Sequence, residues 1–234
     1  MENKKTIIGI IIVIILIIAL VAVSYLYYDF SNKQLNILKD ETNSILQSNI
    51  LTDEINSEIK TDRNFAIVEK SIKEYVGELK NKYTEINNMY SELNPNDIFS
   101  AQNLEDKNME KVENIINEYK EKSKKIATDY KELISEEKIN SYIESKDITL
   151  RKEYYKDLYK TVMLSDSMKK QCENIEEAIN KKEEQINNKL EKIEKIAKYL
   201  EENKNFWETK DDKIQFNNIN KMTEYYNLVN DLLG

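Results

Sequence analysis

The chain has 234 residues, 33% of them charged, with a formal net charge of −8, no histidine, one cysteine, three glycines and one proline. Lack of histidine removes Ser-His-Asp and Cys-His sites, HExxH zinc sites and ordinary haem ligation. A lone Cys172 can form neither an internal disulfide nor a thiolate metal centre, and three scattered glycines cannot build a phosphate loop.

The first predicted element is apolar. Residues 7–23, IIGIIIVIILIIALVAV, hold no charge, amide or hydroxyl, and with Thr6 and Ser24–Tyr28 the stretch reaches 23 residues. That is roughly 34 Å of helix, against a hydrocarbon core about 30 Å thick. Tyr25, Tyr27, Tyr28 and Phe30 crowd its far end, at the level amphipathic rings prefer. A cleaved signal peptide is the competing reading, with Ala22-Val23-Ser24 as its cleavage site, but its apolar region would be shorter. The spacing favours an uncleaved anchor over residues 6–28, and no cysteine follows that could make it a lipoprotein signal. Lys4 and Lys5 stand against Glu2 before the anchor, whereas Lys33 and Lys39 are balanced by Asp29 and Asp40 after it. Positive charge favours the cytoplasmic side. Residues 1–5 are therefore expected in the cytoplasm and residues 29–234 outside the membrane.

Helical periodicity fills the rest. Leu35, Leu38, Thr42, Ile45 and Leu46 continue the first helix and fade near Leu51. Thr61-Asp62 offers N-cap chemistry to a second helix, with Phe65, Val68, Ile72, Val76, Leu79, Tyr83, Ile86, Tyr90 and Leu93 on one face, ended by Asn94-Pro95. A third helix from about Leu104 carries Met109, Val112, Ile116, Tyr119, Ile126, Tyr130 and Leu133, and Ser135 starts another. The longest runs from about Asp147 to Glu202, with Leu158, Val162, Cys172, Ile175, Ile179, Ile186, Leu190, Ile193, Ala197 and Leu200 inward. After Asn203-Lys204-Asn205, Asp211-Asp212 is expected to start a last helix with Ile214, Phe216, Ile219, Met222, Tyr226, Val229 and Leu232 on its apolar face. Stripes apolar on one side only must pack together or against a second copy. The expected fold is all-α: one transmembrane helix, then an elongated antiparallel helical bundle with coiled-coil segments.

The 33 lysines against two arginines, and the 28 asparagines, mark an AT-rich bacterial genome. Residues 29–234 carry −9, the total of −8 less the +1 of Glu2, Lys4 and Lys5, which argues against a nucleic-acid surface. Adjacent carboxylates such as Glu136-Glu137, Glu176-Glu177, Glu183-Glu184 and Glu201-Glu202 diverge by about 100° on a helix and read as solvated surface. In plan the chain resembles helical cell-wall-associated lipoproteins of low-GC Gram-positive bacteria, though the lipid-bearing cysteine is missing and no motif matches.

The sequence therefore predicts no catalytic residues, no cofactor and no metal. It predicts a membrane-anchored extracytoplasmic helical protein that works by protein or cell-envelope contact, as scaffold, spacer or adaptor. Its expected partners are the bilayer through residues 6–28, an envelope or protein partner, and a second copy through coiled-coil faces. The alternatives are a cytoplasmic coiled-coil regulator in reversed topology, or a sensory domain acting through a partner because five residues hold no output domain. Fifteen tyrosines are many. The doublets Tyr154-Tyr155 and Tyr225-Tyr226 cannot both face inward, and exposed aromatic residues anchor contacts. Phe206, Trp207, Tyr225 and Tyr226 are the candidate contact residues, with Phe206-Trp207 equally explained as a plug at a helix corner.

Overall fold

The apolar stretch and the first amphipathic stripe form one helix. In the computed structural model, which describes residues 2–105, 107–211 and 213–233, α1 runs unbroken from Glu2 to Gln47. From Ile14 onward it is long and apolar enough to cross a membrane. Its large side chains there stand open, Ile14 50% and Leu20 67% exposed, as no soluble core helix would leave them. Beyond Tyr28 one face closes, with Gln34, Leu38, Thr42 and Ile45 buried at helical spacing.

The chain is 78% helical. The later helices are α2 (Arg63–Glu92), α3 (Pro95–Ile98), α4 (Ala101–Leu104), α5 (Glu110–Leu133), α6 (Glu136–Glu144), α7 (Lys152–Met163), α8 (Asp166–Glu202) and α9 (Ile219–Leu233). Strands β1 (Trp207–Lys210) and β2 (Lys213–Phe216) pair antiparallel between α8 and α9. Contacts divide the chain into two compact units, Met1–Tyr75 with Asn140–Met168, and Val76–Ile139 with Lys169–Gly234.

Unit 1 buries Leu38, Ile45, Phe65, Ile72, Tyr155 and Tyr159, and the Phe65 ring meets that of Tyr155 edge-on at 5.0 Å. It also buries ions. The Glu69 carboxylate, 1% exposed, accepts from the Lys60 and Thr61 backbone N–H groups at 3.1 and 2.8 Å. It accepts too from the Thr61 hydroxyl at 2.7 Å and from Lys73 Nζ at 2.7 Å. Lys73 in turn reaches Glu41 at 2.8 Å and the Glu58 carbonyl at 2.6 Å, and Lys60 closes on Glu41 at 2.6 Å. Four donors on one carboxylate compensate its loss of water, which a buried charge requires. The irregular segment from Ser48 to Asp62 is thereby fastened to both α1 and α2.

In unit 2 the expected rows hold in part. Val76, Leu79 and Ile86 of α2 and Leu93 just after it are buried, as are Ile175, Ile179, Ile186, Leu190, Ile193 and Leu200 of α8, whereas Tyr83, Tyr90, Tyr119 and Ile126 are half-buried. Tyr130 is fully buried and its hydroxyl donates to the Cys172 carbonyl at 2.9 Å. Burial pushes the neighbouring Cys172 thiol up to about 11, so it stays protonated and inert.

Several expectations are corrected. The stretch from Asp147 to Glu202 is not one helix: Ser165 stops α7 and caps α8, its hydroxyl accepting from the Met168 N–H at 3.2 Å. In α7 the inward face is Tyr155, Tyr159 and Met163, and Leu158 and Val162 are only half-buried. Tyr155, Tyr159 and Met163 are each four residues apart and so share one helical face, with Leu158 and Val162 on its flank. Thr61 does not cap α2 but faces Glu69, and Arg63 enters that helix at a φ of 56°. Leu104 belongs to α4, and the third long helix starts only at Glu110, after Met109 in a left-handed conformation. The largest correction lies at residues 207–216, a β-hairpin where a helix start was expected. Asp211 makes its turn at a φ of 51°, which Asp tolerates; Asp212, the other half of the expected helix start, lies outside the described residues.

Candidate contact surface

The hairpin brings the candidate aromatic residues of unit 2 together and then separates their roles. Trp207 pairs with Phe216, Glu208 with Gln215, Thr209 with Ile214 and Lys210 with Lys213. Because strand side chains alternate, the pairing sends Trp207 inward. It is 2% exposed, and its indole N–H donates to the Leu200 carbonyl at 2.7 Å, satisfying one of the free carbonyls at the end of α8. Lys107 Nζ lies 4.9 Å from the centre of its ring and also donates to the Trp207 and Lys204 carbonyls. A Trp held this way plugs the corner and offers no surface. Phe206, its neighbour, is 39% exposed, and its carbonyl accepts from the Asn217 N–H at 2.9 Å to close the hairpin's open end.

Asn218 begins α9, its side-chain oxygen accepting from the N–H groups of Asn220 and Lys221 at 3.0 and 3.1 Å. This helix contains no fully buried residue among those described. Ile219, Tyr226 and Leu233 are 68%, 51% and 75% exposed, whereas Met222, Tyr225, Val229 and Leu232 are half-buried. Polar ties help to hold it. Tyr199 of α8 donates its hydroxyl to the Lys221 carbonyl at 2.8 Å and lies 3.0 Å from a Glu224 oxygen, and Lys192 pairs with Asp231 at 3.7 Å. Burial and the Glu224 carboxylate push the Tyr199 hydroxyl up to about 12. Tyr225 touches Phe216 at 5.2 Å and Tyr226 at 5.6 Å, ring centre to ring centre. Burial raises its hydroxyl to about 12 as well. Both phenols therefore stay neutral at physiological pH.

Beside α9 opens a cleft of about 680 Å³, with Phe99, Ile196, Ile214, Tyr225, Val229 and Leu232 as its apolar lining and Asn94, Asn96, Lys213 and Gln215 among its polar groups. Of the predicted contact residues, Tyr225 and Tyr226 line it and Phe206 and Trp207 do not. Sequence reasoning missed Phe99 and put Ile214 on the apolar face of a helix, and the overlooked signal for Ile214 was its spacing from Phe216. Two residues apart is the period of a strand, not of a helix. Chemically the cleft offers apolar area and amide groups. Among the described residues no cluster of Cys, Asp or Glu could hold a metal ion.

Among the described residues, fold and surface together define a helical protein with one helix long and apolar enough to cross a membrane and a half-covered helix beside a cleft of mixed polarity. No protein-family model, curated protein or solved structure matches the chain.

Proposed function

We propose that this is a membrane-anchored extracytoplasmic protein without catalysis, whose amphipathic helices pack as an antiparallel bundle and which works by contact with protein or envelope partners as a scaffold, spacer or adaptor. One observation carries the reading. The apolar, uncovered half of α1 and its half-buried amphipathic half are a single uninterrupted helix, so anchor and domain are one element. A helix apolar on all sides, with 0% of its most apolar window buried, finds its partner in lipid. The open face of α9 and its cleft supply contact area in unit 2, and the lysine pair ahead of the anchor sets the orientation.

The test is fractionation joined to labelling of a Ser91→Cys variant, since Ser91 is exposed and the Cys172 thiol is inert. Retention in the membrane after alkaline carbonate, with labelling by an impermeant thiol reagent in intact protoplasts, supports the reading. Release of a fragment beginning near Tyr25 would make the segment a signal peptide. Labelling only after lysis would turn the chain round and favour the tethered cytoplasmic regulator.

A further inference from the structure

Of 35 basic residues only Arg63 and Arg151 are arginines, and both belong to unit 1. Each starts a helix from a left-handed backbone, at φ 56° and 51°. Each lies over an aromatic ring, Arg63 at 4.8 Å from the Phe30 centre and Arg151 at 4.7 Å from that of Tyr154. A guanidinium carries five N–H donors, so even with one Arg151 donor bonded to Tyr27 both arginines keep donors for a phosphate. Among the described residues neither arginine is ion-paired.

Their height is read off α1. Going down that helix, Glu41 meets Lys60 and Lys73, Gln34 meets the Asp62 N–H at 2.7 Å, Phe30 meets Arg63, and Tyr27 bonds Arg151 and Tyr155. From Glu41 to Tyr27 is roughly 21 Å of helix. Unit 1 therefore reaches down to the last turn of the apolar stretch, which is headgroup level if that stretch spans the bilayer. At this height Leu150 is 70% exposed on a pinned loop. Ile148 beside it is buried, and Asn64 donates to the Leu150 carbonyl at 2.9 Å. Nearby carboxylates are partly engaged: Asp62 accepts from Gln34 and Glu153 pairs with Lys156, leaving Asp29 and Asp147 to solvent.

We infer that this end of unit 1 docks on the bilayer that α1 crosses, with Leu150 inserted at the headgroup boundary and Arg63 and Arg151 holding the phosphates of anionic phospholipids. The inference rests on the membrane-anchor reading and adds a lipid-facing surface outside the span.

The test uses the full chain reconstituted in vesicles of phosphatidylcholine, with and without one-third phosphatidylglycerol, and a Leu150→Cys variant carrying an environment-sensitive fluorophore. The same label on Ser44→Cys, exposed on α1 within unit 1 and roughly 24 Å of helix beyond Tyr28, serves as the control. Expected are a blue-shifted emission at position 150, quenching by lipids brominated on the acyl chain, and strengthening of both by phosphatidylglycerol, none of which occurs at position 44. A surface arginine contributes about fivefold, so Arg63→Gln with Arg151→Gln lowers the docked-to-free ratio roughly 30-fold, at unchanged circular dichroism. A water-exposed label at position 150 in anionic vesicles, on protein that resists carbonate, overturns the docking and leaves the anchor standing. Release by carbonate overturns the anchor and the docking with it.

Discussion

Replacing Trp207 by Ala separates a contact role from a packing role. The indole is 2% exposed, stacked under Lys107 and bonded to the Leu200 carbonyl. Truncating a buried Trp to Ala costs about 3–5 kcal/mol from lost transfer energy and the residual cavity. The lost hydrogen bond adds about 1 kcal/mol, since the Leu200 carbonyl at a buried helix end regains water only in part. Trp207→Ala should thus destabilise unit 2 by about 4 kcal/mol or more, and Trp207→Phe by about 1–2 kcal/mol. Urea unfolding of the full chain in detergent, followed by far-ultraviolet circular dichroism, measures both. Hydrogen exchange of residues 207–216 should show the hairpin opening first. A loss below about 1 kcal/mol, typical of surface positions, would refute the plug and return Trp207 to the contact surface.

Glu69→Ala should cost unit 1 about 3–5 kcal/mol, because Lys73 stays buried with one of its two carboxylate partners gone, and denaturant unfolding reads it. The same cluster makes unit 1 acid-sensitive. Burial alone would raise the Glu69 and Glu41 carboxyls, but bonds from Lys73 and Thr61 to the first, and from Lys60 and Lys73 to the second, outweigh it and hold both below their usual range. A carboxyl depressed in the folded state stabilises above its unfolded pKa, near ~4.3 for Glu, and loses that contribution as pH falls through the folded value. The melting temperature should therefore hold from neutral pH to about 5 and fall below about 4, and Glu69→Gln should flatten the fall. Cys172→Asp should destabilise unit 2 by about 3 kcal/mol or more, because Glu173 and Glu176 oppose another negative charge there. An unchanged unfolding midpoint would put that face of α8 in solvent.

Legibility followed the length of each periodic run. The inward rows of α2 and of α8 after Cys172 were readable because one face repeats over many turns, no proline interrupts it, and the one glycine inside them, Gly77, leaves α2 continuous. Where runs are short, local chemistry decided, and it was partly visible. Ser165-Asp166 is as good a helix start as Ser135-Glu136, yet it sits inside an apolar pattern that continues across it. The hairpin carried its own signal in the alternation of WETK and KIQF about two acidic residues, masked by the helical spacing that resumes at Ile219. The Glu69 cluster was not legible at all. Its four donors come from residues 60, 61 and 73, and a carboxylate among lysines at helical spacing reads as surface until the fold closes over it. For the same reason Trp207 and Phe206, adjacent in sequence, could not be told apart.

The mounting of unit 1 bears on what the proposed anchor does. Membrane tethers that let a domain roam use flexible, Gly- or Ser-rich linkers. Here the helix that carries the apolar stretch continues for nineteen residues past Tyr28, to Gln47, and unit 1 is fastened along that extension. The fastenings are unlike one another: a buried ion cluster at Glu41, a side-chain to backbone bond at Gln34 and a stacked guanidinium at Phe30. Sliding by one residue would rotate α1 by about 100° and break all of them together, so the register is fixed by several independent contacts. On the proposed reading the unit therefore holds one height and one rotation relative to the bilayer. A simple tether would need neither, whereas a spacer or adaptor that presents a surface to a partner needs both.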